Sequence, residues 1–169
     1  MSILLFLMTS IFLQATSETP KLVLVRNGES EWEKLNLFLG WSDSALSEQG
    51  HKEAIKGGKL LKEGGYSFDV CYTSILKRSI QTAFHLLDEL DQLYIPILKD
   101  LNLNERHFGA LEGLNKKEVE EKYGSDQVNT WRRSYDIPPP ALDKKDQRNP
   151  ANQEKYRKYP EKCYLYMNL

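Results

Sequence analysis

The sequence predicts an α/β fold with a mainly parallel sheet. Short apolar runs and amphipathic helical stretches follow one another as strand, helix, strand, helix, strand, the order that parallel crossovers produce. Polar clusters follow each apolar run, where open α/β sheets hold their ligands, beyond the C-terminal strand ends. With 169 residues, 40% hydrophobic and 28% charged, the chain has room for one domain with a sizeable core.

Residues 21–25 (Lys-Leu-Val-Leu-Val) form a β-branched and aliphatic run ending in Arg26-Asn27-Gly28-Glu29-Ser30. It reads as a buried parallel strand running into a loop. Ser47 is placed to cap a helix whose buried face carries Ala54, Ile55, Gly58 and Leu61, and Gly64-Gly65 ends it. Phe68, Val70 and Tyr72 alternate with Asp69 and Cys71 as a second strand. Ser74 then caps a helix with an apolar stripe of Leu76, Ile80, Ala83, Phe84, Leu87 and Leu90. Residues 93–98 make a third strand, which Pro96 assigns to an edge. Asn115 with Glu118 opens a further helix as in a capping box, Gly124 ends it, and another stretch carries Val128 and Trp131 up to Pro138-Pro139-Pro140. Residues 141–169 are rich in Lys, Asp, Asn, Gln and Pro without a periodic apolar face, and read as loop or disordered tail. The predicted domain therefore spans residues 20–140.

Residues 1–19 differ in composition from the rest. Residues 1–13 are almost wholly apolar, and Ala15-Thr16-Ser17 resembles a small-residue cleavage site, but no Lys or Arg precedes Lys21. The segment reads as signal-like or spurious, and it is too short to span a bilayer. The formal charge of −1 gives no overall pull toward nucleic acid or anionic membrane. Affinity for phosphate must come from clustered cations. Cys71 and Cys163 are too far apart for a disulfide framework or a zinc site, and three histidines are few for a metalloenzyme, so no metal is expected.

The clusters after the strands suit a phosphoryl group. Arg26 and Gly28 follow the first strand, Ser74 and Arg78 the second, and Glu105-Arg106 the third. A guanidinium fork matches two phosphate oxygens, and a glycine allows close backbone approach to an anion. Residues 22–32 (Leu-Val-Leu-Val-Arg-Asn-Gly-Glu-Ser-Glu-Trp) resemble the Arg-His-Gly-Glu-Ser signature of cofactor-dependent phosphoglycerate mutases in the histidine phosphatase superfamily. Further segments follow in that family's order: Gly40-Trp41-Ser42-Asp43, Leu46-Ser47-Glu48-Gln49-Gly50, Tyr72-Thr73-Ser74-Ile75-Leu76-Lys77-Arg78, Leu103-Asn104-Glu105-Arg106-His107, Gly113-Leu114-Asn115-Lys116 and Trp131-Arg132-Arg133-Ser134-Tyr135. The likeness runs from Lys21 to about Asp146, and residues 105–140 are similar to the insertion that marks mutases.

The resemblance implies a three-layer sandwich, a phosphohistidine route between 3-phosphoglycerate and 2-phosphoglycerate in glycolysis, and 2,3-bisphosphoglycerate as phosphoryl donor. By the same resemblance Arg26 and Arg78 hold the phosphoryl group, Glu105 is the general acid/base, and Lys116, Arg132 and Arg133 bind the carboxylate and remote phosphate. Ser30, Gly40 and Phe108 fall at substrate-binding positions. The implied partners are small phosphorylated three-carbon acids, with a homo-oligomer expected, and the implied location is the cytoplasm, or secretion if residues 1–17 serve as a signal.

Departures from the family pattern decide the expected chemistry. Asn27 occupies the nucleophile position, and a carboxamide nitrogen, its lone pair delocalised, cannot attack phosphorus. Phe108 lacks the family tyrosine's hydroxyl. Glu33 and Leu39 replace an asparagine and a small hydroxyl residue, and a carboxylate at Glu33 repels phosphate. Leu169 comes before the family's Ala-His-Gly-Asn motif and the strand that carries it, so the sheet is expected to lack its C-terminal strands. The expectation is an inactive or severely impaired phosphoglycerate-mutase-like protein. The alternatives are a non-catalytic anion-binding pseudoenzyme or a truncated product without stable fold.

Overall fold

A computed structural model describes residues 20–159. The signal-like segment 1–19, the last residues of the expected tail and Cys163 lie outside the described residues. Among the described residues, five α-helices and two strands carry most of the regular structure: α1 (Glu31–Lys34), α2 (Glu48–Glu63), β1 (Cys71–Thr73), α3 (Lys77–Glu89), β2 (Ile97–Lys99), α4 (Lys116–Tyr123) and α5 (Ser125–Arg133). β1 and β2 pair in parallel, Tyr72 opposite Leu98, with α3 as the crossover between them. The α/β class and the parallel sense are as the sequence predicts. The ladder starts where Pro96 offers its carbonyl to the Cys71 N–H at 3.0 Å, so the proline sits just before the strand rather than within it.

The expected first strand is not one. Residues 21–25 have no regular structure, and Leu22 and Leu24 are 83% and 84% exposed instead of buried. An apolar run specifies a preference for burial, but a ladder needs a neighbouring backbone, and among the described residues none runs beside this segment.

Local sequence chemistry accounts for the helix ends. Ser47 Oγ accepts the Gly50 N–H at 3.0 Å and caps α2, and Asn115 accepts the Lys117 N–H at 3.0 Å and caps α4. Gly64 closes α2, followed by Gly65 at φ +68°. Ser74 is a correction: the N-cap of α3 is Leu76, and Ser74 Oγ instead accepts the Leu76 N–H in the bend before the helix. The next donor, the Lys77 N–H, is taken at 2.6 Å by Asp43, which arrives from a distant loop. Along α3 the buried apolar face carries Ala83, Leu86 and Leu87, whereas Phe84 turns outward.

Two apolar clusters anchor the molecule. Phe38, Phe108, Leu111, Val119 and Val128 join the loop after α1 to α4 and α5, with the Phe38 and Phe108 rings 5.3 Å apart. Trp41, Leu101 and Tyr156 form the second, the Trp41 and Tyr156 rings stacked at 5.0 Å. That stack reaches past residue 140 into the following segment. Residues 141–159 are loop with short 3-10 turns, as their composition suggests, but they are packed: Asn149, Pro150 and Tyr156 are buried. Arg148 ties the segment down by donating to the Glu112 carbonyl at 2.5 Å while holding the Asp146 carboxyl down at about 2.

Candidate functional site

The loop from β2 to α4, the loop after α1 and the start of α3 converge on a cavity of about 1070 Å³. Arg26, Asn27, Arg78, Glu105, Phe108, Lys116, Arg132 and Arg133 all line it, so most of the site residues expected from sequence meet in one place. Leu61, Leu76, Leu86, Leu87, Leu90 and residues 21–25 add an apolar share to the same lining.

Each side chain has a defined environment. Arg78 is 1% exposed; its Nη2 donates to the Gly40 carbonyl at 2.8 Å and to Glu105 Oε2 at 2.8 Å, and its Nη1 to the Ser42 carbonyl at 3.1 Å. Burial pushes the Glu105 carboxyl above its ordinary range, with Arg78 and then Arg26 pulling the other way. The Glu105 backbone is itself fixed, because the Trp41 indole N–H donates to its carbonyl at 2.7 Å. Asn27 Nδ2 donates to the Gly28 carbonyl at 2.8 Å. Lys116 opens α4, while Arg132 and Arg133 occupy the last turn of α5, where cations meet the negative end of the helix dipole. No hydrogen bond or ion pair engages these three side chains among the described residues, which leaves them the site's free cations.

Other positions take roles the sequence did not indicate. Ser30 does not line the cavity; it is fully buried and caps α1, its Oγ accepting the Glu33 N–H at 3.1 Å. Gly40 also lies outside the lining, at φ +58°, where an added Cβ would sit 2.1 Å from Glu112 Oε1. Gly28 permits a close approach, but to protein: a Cβ there would meet the Gly50 carbonyl at 2.4 Å. Phe108 keeps only part of its expected place, since its ring also belongs to the core cluster. Arg106 clamps the C-terminal end of α5 by donating to the Trp131 and Ser134 carbonyls.

Glu112 is the residue that sequence reasoning missed. Its carboxylate is 1% exposed and accepts from the Trp41, Ser42 and Phe108 backbone N–H groups and from Ser42 Oγ, at 2.8–3.1 Å. It thereby fixes the loop whose carbonyls hold Arg78. The only hint in the sequence was a lone charge between Leu111 and Gly113-Leu114.

The profile of the Histidine phosphatase superfamily (branch 1) matches residues 22–153. The chain belongs to this superfamily. Within it, the protein is phosphoglycerate-mutase-like: over 145 residues it is 59% identical to the 2,3-bisphosphoglycerate-dependent phosphoglycerate mutase of Lachnoclostridium phytofermentans, covering 86% of this chain and 57% of that one. A solved phosphoglycerate mutase from Bacillus anthracis is 27% identical, with a TM-score of 0.54 over 62% of this chain and 47% of its own. A mycobacterial glucosyl-3-phosphoglycerate phosphatase shares the fold, with a TM-score of 0.57 at 22% identity over 67% of this chain and 51% of its own. The chain spans about half the length of the relatives it matches. Among the described residues no helix is long and apolar enough to cross a membrane, and no group of three or more His, Cys, Asp and Glu is placed to hold a metal ion.

Proposed function

We propose that this histidine phosphatase superfamily member binds small phosphorylated three-carbon acids of the phosphoglycerate type without passing a phosphoryl group through the protein. The observation that carries the reading is Asn27, which stands beside Arg26 in the cavity where the family resemblance calls for a histidine. Its amide nitrogen is delocalised and already donates to the Gly28 carbonyl, so it offers phosphorus no electron pair.

The remaining residues suit binding better than transfer. Lys116, Arg132 and Arg133 give the cavity unneutralised charge, which fits a carboxylate or a remote phosphate. Glu105 with its raised carboxyl retains the chemistry of an acid/base group, oriented by Arg78 at 2.8 Å. 2,3-Bisphosphoglycerate, on which the bacterial relative by its name depends, fits these free cations as a ligand; Asn27 does not fit the role of phosphoryl acceptor. The reading carries with it the cytoplasmic setting and the homo-oligomer that the resemblance implies.

The test has two arms. Incubation with phosphorus-labelled 2,3-bisphosphoglycerate is expected to leave no acid-labile label on the protein; a stable labelled histidine would refute the reading. Calorimetry with 3-phosphoglycerate is expected to show binding that Lys116→Ala combined with Arg132→Ala weakens at least about tenfold, since a charge-assisted hydrogen bond contributes about 1.5–3 kcal/mol. Binding indifferent to both substitutions would place the ligand elsewhere.

A further inference from the structure

We propose that Glu33 is a built-in occupant of the phosphoryl-binding arginine, so that an anion reaching Arg26 must first displace the protein's own carboxylate. This rests on the reading of the cavity as an anion site, and it adds a residue that sets the site's affinity and its preference among anions. Arg26 Nη2 lies 2.5 Å from Glu33 Oε1, and both side chains line the cavity. A carboxylate oxygen on a guanidinium uses the donors that a phosphate oxygen would use.

The base of Glu33 is fixed. Its backbone N–H is held by Ser30 Oγ, the buried cap of α1, so the carboxylate is presented from a short helix rather than from a free loop. The pair dominates the surroundings of Arg26: the hydrogen bond that it donates to Glu33 is the largest influence raising the pKa of that guanidinium. Arg78 is committed to Glu105 and to two backbone carbonyls. Both arginines are therefore neutralised by carboxylates, while Lys116, Arg132 and Arg133 in the same lining are not. An anion that enters the cavity is drawn to those three cations, and its contact with Arg26 competes with Glu33.

Exposure bounds the size of the effect. The Arg26 side chain is 75% exposed and that of Glu33 27% exposed, so the pair is open to water and displaceable. Exposed pairs of this kind are weak, and the expected penalty on phosphate affinity is about twofold to fivefold.

The experiment is calorimetric titration of the whole chain with inorganic phosphate and, separately, with 3-phosphoglycerate. The proteins are the parent, Glu33→Gln, Arg26→Gln and the double variant. Glutamine keeps the shape of the side chain and the backbone hydrogen bond to Ser30. Glu33→Gln is expected to tighten phosphate about twofold to fivefold, and the gain is expected to vanish when Arg26 is also replaced. No gain in Glu33→Gln, or an equal gain without Arg26, would overturn the proposal. If the parent binds 3-phosphoglycerate and Glu33→Gln binds neither anion more tightly, only this inference fails. If Glu33→Gln gains phosphate while no variant binds 3-phosphoglycerate, the inference stands and the phosphoglycerate reading falls. If no variant binds either anion, both fall.

Discussion

Replacing Glu112 by glutamine should destabilise the domain and loosen the site together. Each carboxylate oxygen accepts from two donors: Oε1 from the Trp41 and Phe108 N–H groups, Oε2 from the Ser42 N–H and Oγ–H. Glutamine turns one oxygen into an NH₂ group, which has no acceptor capacity, so either orientation sets donors against donors. Leaving a buried donor unpaired costs about 1–3 kcal/mol. With Oε1 lost, both orphans are backbone groups and cannot turn away, for a cost of about 2–6 kcal/mol. With Oε2 lost, the Ser42 hydroxyl rotates to another acceptor and one orphan remains, for about 1–3 kcal/mol. The side chain takes the cheaper orientation, so the expected loss is about 1–3 kcal/mol, a sizeable share of the roughly 5–15 kcal/mol that holds a domain together. Because the Gly40 and Ser42 carbonyls hold Arg78, the same change should lower 3-phosphoglycerate affinity. Urea unfolding of parent and variant measures the first effect and calorimetry the second. A stability change under about 0.5 kcal/mol would refute the account, since it would mean that the desolvation of a buried carboxylate cancels its hydrogen bonds.

Two further outcomes are expected. His107 is buried with its Nδ1 accepting the Gly109 N–H at 2.8 Å, and burial is the main cause that lowers its pKa below the ordinary 6.5. The unfolded chain therefore takes this proton first as pH falls below that value, and the stability His107 contributes above it is lost toward the depressed pKa. Urea midpoints at about pH 7.5 and about pH 5.5 should converge in His107→Leu relative to the parent, and an unchanged acid loss would contradict this. Gly50→Ala places a Cβ 1.9 Å from the Glu29 carbonyl, on backbone that cannot step aside. It should cost about 1–3 kcal/mol of stability and weaken anion binding by moving the loop that carries Arg26, whereas a thermal melt matching the parent would show that the loop is not seated on α2 as described.

What the sequence made legible was local. Ser47 and Asn115 cap their helices because a short polar side chain can reach an orphan N–H two or three residues on, a fact contained in the neighbouring residues alone. The arginines, Lys116 and Glu105 were also within reach, through their place in family motifs. What escaped depended on partners distant in sequence. Residues 21–25 have the composition of a strand, but pairing is a property of two segments. Glu112 gains its role from Trp41 and Ser42, some seventy positions away, and nothing beside it signals the donors. Glu33 was expected to repel phosphate, and the structure adds that it has Arg26 as its partner. The sequence places the cap of α3 at Ser74, two residues before its position at Leu76, because the bend at 74–76 leaves no mark on composition.

The Tyr156 hydroxyl donates to the Trp41 carbonyl across 115 positions of chain. Bringing two such points together costs about 4 kcal/mol of chain entropy by the logarithmic rule, so the contact is affordable only once most of the intervening chain is already compact. It is therefore expected among the last to form. During synthesis the indole that steadies the Glu105 carbonyl waits for residue 156 to emerge, long after the arginines and α3 are in place. The order of assembly thus runs from the helices that carry Lys116, Arg132 and Arg133 to the packing around Trp41, and whatever delays the final segment leaves the Trp41 ring without its stacking partner.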